Sequence, residues 1–265
     1  MLRGIAIAIV IFGHALQKIC GVNPPHPVHS VILCFQMEFF FAIAGYAQSL
    51  TSNQPFVESI KKRAMRLMVP YLVWVTISFV YGLYTGNAQL EISSIGCYYF
   101  KHAFWFLRTM FYVSGIYLVA ASIKRRCAMV LPHWVAFVAA GCIVAVLTVF
   151  CRYVFADEAV PRYLVWFYIG YGFSYIICLR KEECAKRHSK VAMFIAYLGQ
   201  ESLALYAIHW WVFFKFLPLP DCPISLSVVT YAFCAFVVWL LLSLGIIRLM
   251  SKTIVARLFL GKSAR

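Results

Sequence analysis

The sequence predicts an all-α membrane protein, a polytopic bundle of about eight transmembrane helices with both ends on the cytoplasmic side. Two observations carry the fold class and a third carries the orientation. Of 265 residues, 63% are hydrophobic and only 12% charged, about half the roughly 25% charged fraction of an average soluble domain, which excludes a water-soluble fold. Apolar runs recur near the ~20-residue length that a bilayer core demands. Basic residues then fall on alternate connections between those runs, as the positive-inside rule requires.

The first run, at about 4 to 22, follows Arg3 and reads as a retained span: no small-residue cleavage site follows, and His14 interrupts the apolar stretch. Further spans are expected at about 28 to 50, 67 to 86, 102 to 121, 128 to 151, 163 to 179, 191 to 217 and 225 to 247. With Arg3 inside, the inner connections carry Lys61, Lys62, Arg63 and Arg66, then Lys124, Arg125 and Arg126, then Arg180, Lys181, Lys186, Arg187 and Lys190. The tail adds Arg248, Lys252, Arg257, Lys262 and Arg265, which puts 18 of the 24 basic residues on one side. Lys18, Lys101, Arg108, Arg152, Arg162 and Lys215 lie outside or within spans. Topology therefore accounts for the net charge of +15, and nucleic acid is not an expected partner.

Ten cysteines show no Cys-x-x-Cys and no His-Cys cluster at zinc spacing, so no metal site is expected. Cys20, Cys97, Cys151 and Cys222 fall at outer ends of spans, where a disulfide would form in an oxidising compartment; the default for all ten is a small packing residue. The chain shows no soluble segment, long linker or internal repeat, and residues 1–265 read as one integral-membrane domain.

Ionisable groups within a bilayer core cost several kcal/mol unless paired or hydrated, which singles out His14, Glu38 and Glu201. His14 lies 11 residues beyond Arg3, roughly 16 Å along a helix and close to mid-membrane. Eleven steps of 100° leave a remainder of about 20°, so Arg3 and His14 share a face that Gln17 and Lys18 continue outward. Such a histidine serves either packing specificity or chemistry. Glu38 enters from the opposite side to a depth of roughly 15 Å, where it would meet His14 and fix its tautomer, or else be protonated and hydrogen-bonded. The seventh run holds Gly199, Gln200, Glu201 and Ser202 in succession and predicts a broken helix. His209, Trp210 and Trp211 follow nearer the outer face, either as an aromatic belt or as an acceptor surface together with Trp105.

These segments resemble the membrane-bound acyltransferase-3 family. "LRGIAIAIVIFGHA" is similar to its first span with an Arg-x10-His signature, carried here by Arg3 and His14, and "FQMEFFFAIAGY" to its Phe-rich second span. "KKRAMRLMVPYLVW" resembles the basic loop with Arg-x-x-Arg, "FWFLRTMF" its Trp-Phe-Leu segment, and "LGQESLALYAIHWW" its late Ser-Leu-x-x-Tyr-x-x-His segment. The chain departs at Gln36 and Glu38, where His and Pro are frequent, in having about eight spans rather than ten, and in starting close to the first motif.

The resemblance implies an O-acyltransferase of the inner (plasma) membrane of a bacterium. It would move an acyl group, commonly acetyl, from acyl-coenzyme A on the cytoplasmic side to a hydroxyl of a carbohydrate or lipid-linked glycan, with coenzyme A as substrate and no bound cofactor. Arg63 and Arg66, one turn apart in a basic loop, would grip the coenzyme A phosphates, with Arg3 along the path. His14 would act as general base or transient acyl carrier, with Glu38 or Glu201 orienting it. Trp105, His209 and Trp210 would face the acceptor. Two other readings stand beside this one: a transporter or lipid-glycan flippase using the same polar face, and an inactive remnant that packs against partner subunits.

Overall fold

The computed structural model describes residues 1–20, 27–50, 55–101, 104–155, 157–178, 190–211, 226–251, 253 and 256–260. Among them every regular element is helical. The helices are α1 (Leu2–Cys20), α2 (Pro27–Leu33), α3 (Gln36–Ser49), α4 (Phe56–Arg63), α5 (Val69–Tyr84), α6 (Ile92–Lys101), α7 (Trp105–Cys127), α8 (His133–Val154), α9 (Ala159–Cys178), α10 (Lys190–Gln200), α11 (Ser202–Trp211), α12 (Leu226–Met250) and α13 (Ala256–Leu260). Six stretches among them are long and apolar enough to cross a membrane, and α10 with α11, bent by 73°, makes a seventh if the pair counts as one span. Helix α9, at 20 residues, has the length, but its tyrosines, glycines and Arg162 make it less apolar than those six. The chain is a polytopic all-α membrane protein.

The outer surfaces agree with a hydrocarbon solvent. On α8, Trp134, Phe137, Val138, Val146, Val149, Phe150 and Val154 are all exposed, and only Ala136, Ala140 and Cys151 are buried. Water would penalise so continuous an apolar face at about 25 cal/mol per Å², whereas lipid imposes no such cost. A helix meets the other requirement of the bilayer, since its backbone groups are satisfied within the segment.

The packing divides the chain into two compact units, one of Met1–Ile43 with Tyr175–Arg265 and one of Ala44–Ser174. The boundaries run through α3 and α9, where composition does not change. In the first unit α1 is the central helix and packs against α2, α10, α11 and α12. Leu16 and Ile19 of α1 join Ile32 of α2 and Val228 and Ala232 of α12 in one core, flanked by Ile9 and Phe12. The tightest approach lies at the other end of α1. A Cβ on Gly4 would stand 1.9 Å from the Ile195 carbonyl oxygen, and one on Gly199 would stand 3.0 Å from the Gly4 nitrogen. Two glycines therefore let the α1 and α10 backbones touch, the small-residue contact that substitutes for hydrophobic drive inside lipid.

In the second unit Gly45 of α3 makes the same kind of contact, its Cβ position lying 1.8 Å from the Phe167 carbonyl of α9. The basic segment expected to be a loop is helical instead. Helix α4 runs into a π-helical turn, Ala64–Met68, which leads directly into α5, so that one stretch of 29 residues extends from Phe56 to Tyr84. Pro70 explains the widening: its ring displaces the carbonyl four residues back and removes one donor, and the ladder opens to i→i+5 rather than breaking. Helix α5 ends at Gly86, whose φ of +73° turns the chain so that the Asn87 and Ala88 amides return to the Gly82 carbonyl.

A buried ion pair ties α7 to the connection before α9. Arg108 Nε and Nη2 each lie 3.2 Å from Asp157 Oδ2, which also accepts from Thr109 Oγ1 at 2.7 Å. Both charges are almost fully enclosed, Arg108 at 5% and Asp157 at 2% exposure, so each neutralises a charge the interior could not tolerate alone. Cys151, expected at an outer end where a disulfide is feasible, is a buried free thiol; Cys222 lies outside the described residues, as do the side chains of Cys20 and Cys97.

Two outcomes test this packing. Gly4→Ala should lower stability by about 1–3 kcal/mol through overpacking, seen as a reduced melting temperature in detergent, while Gly141→Ala, with nothing within 4 Å of its Cβ position, should not. Arg108→Met or Asp157→Asn alone should cost about 3–5 kcal/mol, and the double variant should recover most of that loss.

Candidate active site

His14 sits two thirds of the way along α1, half-buried, with its Nδ1 3.0 Å from Gln17 Oε1 one turn further on. Since an amide oxygen only accepts, Nδ1 carries the proton and Nε2 carries the lone pair. The imidazole stacks on His209 of α11, ring centroids 5.3 Å apart and planes inclined by 26°, and meets the edge of Trp210 at 6.1 Å. His29, buried in α2, lies within electrostatic range.

His209 is itself 1% exposed, and its Nδ1 lies 2.8 Å from the Leu205 carbonyl oxygen. That carbonyl fixes the same tautomer as in His14, with Nε2 as the basic atom. The Tyr206 ring packs beside it at 5.6 Å. The pairing follows from the helix register. Gly4 meets Gly199 and His14 meets His209, and each histidine is 10 residues beyond its glycine, roughly 15 Å of rise along α1, matched on the other side by the end of α10, the bend and most of α11. Helix α11 thus runs alongside α1 in the same direction.

The same register places the break between α10 and α11 at the level of Arg3 rather than at the level of His14. The Cβ of Arg3 lies 3.4 Å from the Cβ position of Gly199. Glu201, the residue between the two helices, precedes His209 by eight residues, about 12 Å of helical rise. Ser202 caps the break by donating to the Gly199 carbonyl at 3.0 Å. Glu201 therefore belongs to the Arg3 end of the site.

Glu38 is buried in α3 at 2% exposure. One residue of α3 that reaches α1 is Gln36, whose Oε1 lies 3.0 Å from the Cβ position of Gly13, next to Ile32. Two residues on, Glu38 is turned about 200° round the helix from Gln36. Gln36 lies on the face toward Gly13.

The remaining candidates lie in the second unit. Arg63 is half-buried and donates through Nη2 to Oε1 of buried Gln48, while Arg66 is exposed. Arg63 closes α4 and Arg66 stands on the π-helical turn that follows, not on a loop, so their spacing is not that of an α-helical turn. Lys62 pairs with Glu58 at 2.8 Å on the exposed face of α4. Trp105, the first residue of α7, stacks on Tyr163 at 5.6 Å and 23°, and the Arg162 guanidinium covers the same tyrosine at 5.6 Å. Trp105 thus belongs to an aromatic and cationic platform within the second unit, and in the first unit His209 and Trp210 accompany His14.

Two participants were not singled out from the sequence. His29 lies in the first turn of the second span, just after Pro27, where a histidine reads as interfacial. Asp157 is 49 residues from the arginine it neutralises. A lone aspartate beside a span end carries no sign of such a partner.

Comparison with known proteins gives the chain a lineage. Residues 1–176 match the family model of the type 3 acyltransferase domain. The nodulation protein NolL of Mesorhizobium japonicum is 35% identical over 80 residues, covering 28% of this chain and 21% of NolL. That of Sinorhizobium fredii is 30% identical over 115 residues, covering 38% of this chain and 31% of its own length. The chain thus spans under a third of the length of these two relatives. No solved structure matches. Because the matched stretch takes in about two thirds of the residues, including the helix that carries Arg3 and His14, the chain belongs to the membrane-bound acyltransferase-3 family.

Proposed function

We propose that the protein transfers an acyl group, acetyl in the simplest case, from acyl-coenzyme A to a hydroxyl of a carbohydrate or lipid-linked glycan. The observation that carries this reading is the His14 imidazole of α1, held by Gln17 through Nδ1 and stacked on His209, within the stretch that matches the family. An imidazole with a fixed Nδ1 proton offers one basic atom, which is what activation of a hydroxyl, or attack on a thioester, requires. A thioester is already activated, so proton transfer and positioning suffice for the reaction.

Segregation of the basic residues supports an orientation with both ends on the cytoplasmic side of a bacterial inner membrane. The donor would then approach from the side of Arg3, where the close contact of α1 and α10 sets the Arg3 side chain beside the break at Glu201. Arg66, exposed on its π-turn, and Arg63, with four guanidinium N–H groups beyond the one given to Gln48, would bind the phosphates and adenylate of coenzyme A. The acceptor would meet the site from the outer side, with Trp210 offering an aromatic face to a sugar.

Membranes containing the protein should move radiolabel from acetyl-coenzyme A to envelope glycan prepared from the producing cells. His14→Ala should reduce that transfer by at least about 10²-fold, the usual contribution of a positioned acid–base group; transfer at the parental rate would remove His14 from the chemistry. Arg63→Ala combined with Arg66→Ala should weaken coenzyme A binding about tenfold or more, as two charge-assisted contacts would. Unchanged affinity, read by titration in detergent, would assign both arginines to topology alone.

A further inference from the structure

His209 is set directly against His14. It is wholly buried and stacked on His14, and both rings have their tautomers fixed by independent acceptors: Leu205 carbonyl for one, Gln17 amide oxygen for the other. Two basic Nε2 atoms therefore occur in one place, where a single general base would suffice for direct transfer. We propose that the pair divides the reaction, with His14 carrying the acyl group and His209 activating the acceptor hydroxyl; this rests on the acyl-transfer reading above.

The division balances as two displacements. In the first, the Nε2 lone pair of His14 attacks the thioester carbonyl carbon; the N–C bond forms, the C–S bond breaks, and the coenzyme A thiolate leaves and takes a proton from water. The Nδ1 proton stays on the Gln17 oxygen side, so the carrier is an acylimidazolium, a strong acyl donor. In the second, the acceptor oxygen attacks the same carbonyl as Nε2 of His209 takes the hydroxyl proton. The C–O bond forms, the C–N bond breaks, His14 is restored, and His209 returns its proton to water. The net change is one thioester and one alcohol converted to one ester and one thiol.

The arrangement of the helices suits this division. His14 belongs to the helix whose polar stripe begins at Arg3, the proposed donor side, while His209 belongs to α11, whose next residues, Trp210 and Trp211, continue outward along the direction shared with α1. Donor and acceptor then need never occupy the membrane interior together. Stacking with ring centroids 5.3 Å apart sets the two imidazoles side by side, and the fixed tautomers remove the need for either ring to reorient between steps.

The test is isotope exchange between acetyl-coenzyme A and labelled coenzyme A by the full chain in nanodiscs, without acceptor, run beside label transfer to envelope glycan. The parent protein should exchange, and His14→Ala should lose both reactions. His209→Asn keeps a donor for the Leu205 carbonyl and removes Nε2; it should retain exchange within about threefold while transfer falls by about 10²-fold or more. A parent protein that transfers but does not exchange would overturn acyl carriage by His14. A His209→Asn protein with parental melting temperature that transfers normally, or that loses exchange as fully as transfer, would overturn the role of His209. If the parent exchanges label yet transfers none to glycan, the histidine chemistry stands and the acceptor class proposed above falls.

Discussion

The contact of Gly4 with Gly199 sets the register on which the first unit depends. Inside lipid there is no hydrophobic gain from bringing two apolar helices together, so what holds α1 to its neighbours is the quality of atomic contact. Backbone-to-backbone approach is the closest contact that two helices make, and it needs a residue without a Cβ at the crossing. Once Gly199 is seated on Gly4, α11 has no freedom to slide along α1, because one residue of slippage moves every side chain by about 1.5 Å and 100°. His209 arrives opposite His14 for that reason. The same contact sets the bend between α10 and α11 at the depth of Arg3, and the donated hydrogen bond of Ser202 satisfies a carbonyl that the bend exposes.

The second unit meets the constraint by different means. Gly45 repeats the glycine contact against α9, but the unit also encloses a full charge on Arg108 and opposes it with Asp157 and Thr109. A buried pair of this kind gives little net stability compared with an apolar pair of the same volume, and its removal by halves is severe. Its effect is therefore specificity: only one packing of α7 against the segment before α9 brings the carboxylate to the guanidinium. Close by, the Tyr71 hydroxyl donates to the Tyr99 carbonyl, so that α5 and α6 are drawn into the same polar cluster.

How far these features could be read from sequence depends on how local their causes are. The all-α class, the first span and the shared face of Arg3 and His14 follow from composition and the 100° step, which need no knowledge of neighbours. A break after Gly199 was legible because glycine, a carboxylate and a serine in succession interrupt an apolar run. Its depth was not, because that is set by Gly4, nearly two hundred residues away. The basic segment 61–66 reads as a loop by charge alone. It is helical because Glu58 and Lys62 form an i,i+4 pair and because Pro70 widens the ladder without ending it. The face of α3 turned to α1 depends on the turn at Cys34–Phe35 that separates α2 from α3 and resets the helical phase, and no periodicity argument crosses such a turn.

The paired histidines bear on how chemistry of this type can proceed across a bilayer. A single base serving both substrates would require a thioester and a glycan hydroxyl to meet at mid-membrane at the same moment, and a passage open on both sides at once would leak ions and water. Storing the acyl group on a side chain removes that requirement, since each half-reaction needs access from one side only. The cost would be a reactive N-acyl bond that water hydrolyses, so the proposal asks for an apolar setting, and the neighbours of His14 along α1, Ile11, Ala15 and Leu16, are fully buried. The proposed division of labour would thus draw on the same close packing that aligns the two rings.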